Sequence, residues 1–177
     1  MKSATAAWTR SWPIAVIVLA GCSPELDWRE IQAPGTGLRV LLPCKPTHRS
    51  RTVAVAGRDV VFSLDACEAG GATWAIGYAD VAEPHRVPGA LAELRAAAQA
   101  NIHSEAVRSK PLKVPGMTPQ TESGHVSLDG RLPDGAGVRQ ETAVFAHGTW
   151  VFQGTVVGAR LSDEGVTTFV ESLRFTP

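Results

Sequence analysis

"VRQETAVFAHGTWVFQGTVVG", residues 138–158, is two runs of β-branched and aromatic residues around a tight-turn signal, His147-Gly148. Such runs on either side of a glycine read as an antiparallel hairpin. A two-residue loop at His147-Gly148 places Ala146 opposite Thr149 and Phe145 opposite Trp150. Phe145 and Trp150 then share one face of the sheet as a stabilising aromatic pair. The reading also gives His147 a local role as the first residue of the turn.

The flanking segments extend the pattern in both directions. "ESGHVSLDGRL", residues 122–132, reads as a strand and "PDGAG", residues 133–137, as the turn that leads into the hairpin. After the hairpin, "LSDEGVTTFVESLRF", residues 161–175, changes period. Ser162 can cap a helix, and Asp163 and Glu164 suit its positive end. Val166, Phe169, Val170 and Leu173 form the buried stripe.

The first half repeats the scheme. "LRVLLP", residues 38–43, is a short strand stopped by Pro43. "RTVAVAGRDVVFSLDA", residues 51–66, holds two β-rich runs around Gly57-Arg58, where glycine in the first loop position suits a type II′ turn. In "ATWAIGYADV", residues 72–81, Trp74, Ile76 and Tyr78 point one way and Ala75, Gly77 and Ala79 the other. The small face lets a helix come close. "VPGALAELRAAAQANIHSEA", residues 87–106, supplies that helix. Pro88 sits in its first turn, and Val87, Leu91, Leu94, Ala98 and Ile102 form an apolar stripe. Glu93, Arg95 and Gln99 lie opposite. "SKPLKVPGMTPQ", residues 109–120, is an ordered connector. Antiparallel hairpins make the sheet and two amphipathic helices cover it, which is an α+β layered sandwich.

The amino-terminal segment is of another kind. Lys2 and Arg10 precede an apolar core from Ile14 to Ala20, and small residues follow. A transmembrane helix needs about 20 apolar residues, whereas a signal-peptide core needs about 7 to 15. The tetrapeptide Leu19-Ala20-Gly21-Cys22 resembles the lipobox of bacterial lipoprotein precursors in every position. That resemblance implies a diacylglyceryl group on the Cys22 thiol, cleavage between Gly21 and Cys22, and acylation of the new amino terminus. Ser23, where retention in the inner membrane would call for aspartate, implies export to the outer membrane of a Gram-negative cell. The domain would then be lipid-anchored at the periplasmic face. Two or three acyl chains on one cysteine hold far more firmly than one.

The expected organisation is a leader over residues 1–21, a lipid-anchored tether over 22–36 and a single periplasmic domain over 37–177. The order strands, helix, strands, helix, with the closing "FVESLRF" of residues 169–175, resembles the PsbP-like α/β/α sandwich of some small bacterial lipoproteins. That resemblance spans residues 36–177. It includes members without known catalysis and so implies little about activity.

The whole chain of 177 residues is formally neutral. Removal of Lys2 and Arg10 with the leader leaves it slightly acidic, so nothing suggests a nucleic-acid footprint, which would require a clustered basic excess. A hydrophobic content of 44% supports a packed core. Cys44 and Cys67, in an oxidising compartment, are expected to form a disulfide across a hairpin. No CxxC spacing supports a metal or catalytic reading of that pair.

Catalytic signatures are missing from the sequence. His48, His85, His103, His125 and His147 form no HxH, HxxxH or HExxH pair, so neither a metal nor a cofactor is expected. No GxSxG, SxxK or Walker loop occurs. The glycine clusters "PGTG" and "EAGG" read as turns, and Asp65, Glu68, Asp80 and Glu83 as solvated strand ends. Lys45, Arg49, Arg51 and Arg58 cluster in sequence and suit an anionic partner, or simply guard a solvated strand edge. Three readings follow. The first is a non-catalytic binding domain that engages an envelope protein or envelope component. The second is a carrier of a small apolar ligand, in a pocket lined by Trp74, Tyr78, Phe145 and Trp150. The third is a hydrolase assembled from distant residues, which requires a nucleophile hydrogen-bonded to a histidine.

Overall fold

The computed structural model describes residues 25–104 and 106–176. The lipobox, Cys22 and Ser23 lie outside the described residues.

Among the described residues, ten strands and two α-helices follow one another in the order β1 (Arg29–Gln32), β2 (Leu38–Leu42), β3 (Thr47–Val55), β4 (Arg58–Ala69), β5 (Ala72–Asp80), α1 (Val87–Asn101), β6 (Ala106–Lys110), β7 (Gly124–Arg131), β8 (Gly137–His147), β9 (Trp150–Gly158), α2 (Asp163–Ser172) and β10 (Arg174–Phe175). A turn of 3₁₀ helix, Pro84–Arg86, leads into α1. The fold is α+β and mostly antiparallel strand. Seven strands form one sheet in the order β3-β4-β5-β9-β8-β7-β6, and three form a second in the order β1-β2-β10. Among the described residues no helix is long and apolar enough to cross a membrane.

The central hairpin is present with its turn one residue later than expected. His147 pairs with Trp150, and Gly148-Thr149 make the loop. Gly148 has φ +58°, which suits the first position of a type II′ turn. Phe145 therefore faces Phe152 rather than Trp150. The register differs by two residues, so Phe145 and Trp150 keep to one face, as strand alternation requires. The β3–β4 turn also differs. Val55 pairs with Arg58, and the loop is Ala56-Gly57 with φ +49° and +72°. Two left-handed residues make a type I′ turn, which favours glycine in the second position as well. "EAGG" supplies the turn Gly70-Gly71 between β4 and β5, and "PGTG", residues 34–37, is a turn.

The large sheet has two unlike faces. On one, Trp74, Ile76, Tyr78, Phe145 and Phe152 pack with Val166, Phe169 and Leu173 from and just after α2, and with Leu38, Val40 and Leu42 of β2. The cover of this face is thus shared between a helix and a second sheet. On the other, Ala79, Val144, Ala146 and Val151 pack under Val87, Ala90, Leu91 and Leu94 of α1. Ala98 and Ile102 continue that contact onto Val126, Leu128 and Val138. Ser162 Oγ accepts a hydrogen bond from Gly165 N–H at 3.1 Å, so the expected cap of α2 is made.

The folded unit begins before residue 37. Leu26, Trp28 and Ile31 pack on the core, and β1 pairs along β2. The described part of the expected tether, residues 25–36, therefore belongs to the domain. Glu30 binds Arg39 and Arg174, which fastens β1, β2 and β10 together. β10 follows α2 directly where the sequence reads as helix, because Phe175 inserts against Phe145 and Phe152. β6 occupies part of the expected connector, and its Arg108 pairs with Asp129 of β7 at 2.7 Å.

Candidate functional site

β3 is an edge strand of nine residues, and only its last residue is buried. Alternation sends Arg49 and Arg51 to the α1 side of the sheet. There they lie opposite Leu64 and Phe62 of β4. Leu64 in turn pairs with Gly77 of β5. A methyl group on residue 77 would stand 2.5 Å from the Phe62 ring, so the bare glycine lets that ring lie flat on the sheet.

α1 covers the middle of this face and leaves the β3 side open. A groove of about 420 Å³ runs between α1 and the sheet, with Phe62, Leu64, Ala75, Leu94 and Ala97 among its lining residues and Arg51 at its edge. A second hollow, bounded by Arg49, Ser50, Arg51, Phe62 and Leu64, adjoins it. A third holds Lys45, Arg49 and Leu64 beside Cys44 and Cys67, with Glu68 at the same end. Shared residues join the three hollows into one trough. Its floor is apolar along β4 and polar further in, where Gln153 and Thr155 of β9 line it, and Glu93 of α1 stands on the helix side. Its outer rim carries Lys45, Arg49 and Arg51. None of these three forms an ion pair among the described residues.

Arg58 does not join them. It reaches across to Glu83 at 3.1 Å, where Arg86 and His85 also converge. The predicted cluster is therefore three cations on the trough and one engaged elsewhere. The reason is the turn: Arg58 opens β4 beside Ala56-Gly57, at the far end of the hairpin from Lys45.

Cys44 and Cys67 form a disulfide with Cα atoms 6.0 Å apart. It ties the segment before β3 to the end of β4 and closes the base of the trough.

The four aromatic residues expected to line a pocket are divided. Trp74 and Phe145 are buried in the core, with Phe145 stacked on Phe152 at 5.1 Å and Trp74 edge-on to Phe169 at 5.9 Å. Tyr78 and Trp150, 6.2 Å apart, border a separate cleft that also includes His48, Ser63 and Asp80. In that cleft the Tyr78 hydroxyl donates to Asp65 at 3.3 Å, and His48 Nδ1 lies 2.8 Å from the other Asp65 oxygen. Burial, reinforced by the Asp65 charge, pushes the Tyr78 hydroxyl up to about 12. Asp65 is buried rather than a solvated strand end, because His48 and Tyr78 satisfy both its oxygens.

A second polar cluster carried no sequence signal. Glu141 of β8 is 2% exposed and receives Ser127 Oγ–H at 2.7 Å and Arg139 Nε–H at 2.8 Å. His125 Nε2 lies 2.8 Å away. Burial alone would raise its pKa; His125, Ser127 and Arg139 outweigh burial and hold the carboxyl at about 2. Arg139 also binds Asp163 at 3.0 Å, which joins β8 to the start of α2. His147 Nδ1 meets the Gly116 carbonyl at 2.8 Å, and its ring stacks on Phe175. The contacts of His48, His125 and His147 thus run to acidic side chains and backbone. A hydrolytic site would need a histidine turned to a hydroxyl or thiol.

Comparison with known proteins adds no assignment: no family model matches the chain, and no curated protein is significantly similar to it.

Proposed function

We propose that this chain is an exported lipoprotein, held by acyl chains on Cys22 at the periplasmic face of the outer membrane, whose folded domain binds an envelope component without catalysis. The observation that carries the reading is the tetrapeptide Leu19-Ala20-Gly21-Cys22 directly after a short apolar run. The Cys44–Cys67 bridge supports it, because disulfides persist in oxidising compartments. The trough supports the binding half: cations without an ion-pair partner among the described residues, beside a partly apolar floor, form a recognition surface. The order of strands and helices is consistent with a PsbP-like sandwich, in which α1 and α2 are the outer layers.

Fractionation of cell envelopes tests the location. The wild-type chain should sediment with the outer membrane. Cys22→Ser should give unprocessed or soluble protein, and Ser23→Asp should shift protein towards the inner membrane. A wild-type chain found with the inner membrane, or a Cys22→Ser chain still firmly anchored, would contradict the reading.

A further inference from the structure

The geometry points to a ligand for the trough: we infer that the groove under α1 takes up the hydrocarbon chain of a single-chain anionic amphiphile. A free fatty acid, captured as a monomer, is the simplest such ligand. The inference rests on the binding role proposed above and gives that role a chemistry.

Three observations carry it. The groove of about 420 Å³ is within the size of small-molecule sites, and Phe62, Leu64, Ala75, Leu94 and Ala97 give it an apolar strip beside the polar Gln153 and Thr155. Its mouth carries Arg49 and Arg51, two residues apart on one face of β3. Both are exposed, and neither has a carboxylate within ion-pair distance among the described residues. One carboxylate, Glu93 on the helix side, also lines the groove; it accepts Ala56 N–H at 2.8 Å, at the turn end of the β3–β4 hairpin, and forms no ion pair with Arg49 or Arg51. A chain lying on Phe62 and Leu64 therefore ends beside two guanidinium groups free to bind a carboxylate bidentately. An uncharged amphiphile would leave those groups unanswered, and a cationic one would be repelled. The site lies between a helix and a sheet rather than on a protruding convex surface. That placement suits a thin flexible chain entering the groove better than a bilayer laid against the protein.

The test uses the full chain with Cys22→Ser, so that its own acyl chains do not compete. Equilibrium dialysis with radiolabelled palmitate should show saturable binding at one site. Hexadecanol, of equal length and without charge, should bind about tenfold more weakly or worse. The double change Arg49→Gln with Arg51→Gln should weaken palmitate by about the same factor. Ala97→Trp, at an exposed helix position on the groove wall, should abolish binding while thermal unfolding stays close to the parent. If Ala97→Trp does not fold, photoreactive palmitate replaces it and should label peptides from β4 and α1. Absent palmitate binding, equal binding of hexadecanol, labelling confined to other elements, or binding only to phosphatidylglycerol vesicles would each overturn the inference. A negative result leaves the acylation of Cys22 standing. An unacylated Cys22 in cells would equally leave a positive dialysis result standing.

Discussion

The two faces of the seven-stranded sheet are built from the same hairpins and end in different states. The face towards α2 and β2 is sealed, with Trp74, Tyr78, Phe145, Phe152 and Phe169 all at most 3% exposed. The face towards α1 is sealed only in its middle, and Phe62 and Leu64 remain half-buried beside a groove. The difference comes from the covers. A helix together with a second sheet spans most of one face, whereas a single helix of 15 residues leaves the β3 side of the other uncovered. The large aromatic side chains are concentrated on the closed face, and the open one keeps an uncovered groove.

Substitution of one aromatic residue on each face probes that contrast most strongly. Phe152→Ala should destabilise by about 3 to 5 kcal/mol, as for other fully buried phenylalanines. Phe62→Ala should cost less, about 1 to 2 kcal/mol, since that ring is only partly buried. Urea unfolding of both variants decides the matter, and equal losses would remove the distinction between the faces.

The disulfide comes next. Cys44→Ala with Cys67→Ala should lower stability by about 2 to 5 kcal/mol. Two thiols titrating in the denatured, unreduced parent would show that the bridge is absent.

pH sharpens the comparison further, because Glu141 flanks the closed face. Its carboxyl is more acidic folded than unfolded, so folding favours the ionised form. Its contribution is complete above the unfolded value of 4.5 and is lost as pH falls through about 2. The difference is worth about 3 kcal/mol. Unfolding free energies measured from pH 6 to pH 2 should therefore fall more steeply for the parent than for Glu141→Gln. Parallel curves would mean that the cluster does not hold the carboxylate.

The smallest expected effect belongs to the rim of the open face. Arg49→Gln and Arg51→Gln should change stability by no more than about 0.5 kcal/mol each, as surface substitutions usually do. A larger loss would make these residues part of the fold rather than of a binding surface.

Much of the fold was legible because alternation and helical period are local. The strands around Trp74 and Phe145, the α1 stripe and the Ser162 cap all follow from neighbouring residues. Both two-residue turns fell one position from their expected places, because glycine suits more than one position of a tight turn. Ala56 adopts φ +49°, which no neighbouring residue signals. β1 and β10 were not legible. Four residues bearing Arg29 and Glu30, and two residues after a helix, become strands only through β2 lying between them.

The site was legible in one dimension only. Arg49 and Arg51 are two apart and must share a face, but the groove beside them depends on where α1 comes to rest. Arg58 was lost to Glu83 through a contact spanning 25 residues. Burial of Asp65 and Glu141 likewise needed partners on neighbouring strands.

Mass spectrometry of the amino-terminal peptide from envelope-purified protein tests the central claim most directly. The expected result is a chain that begins at Cys22 and carries a diacylglyceryl group on its sulfur. An unmodified amino terminus at any residue other than Cys22 would contradict it.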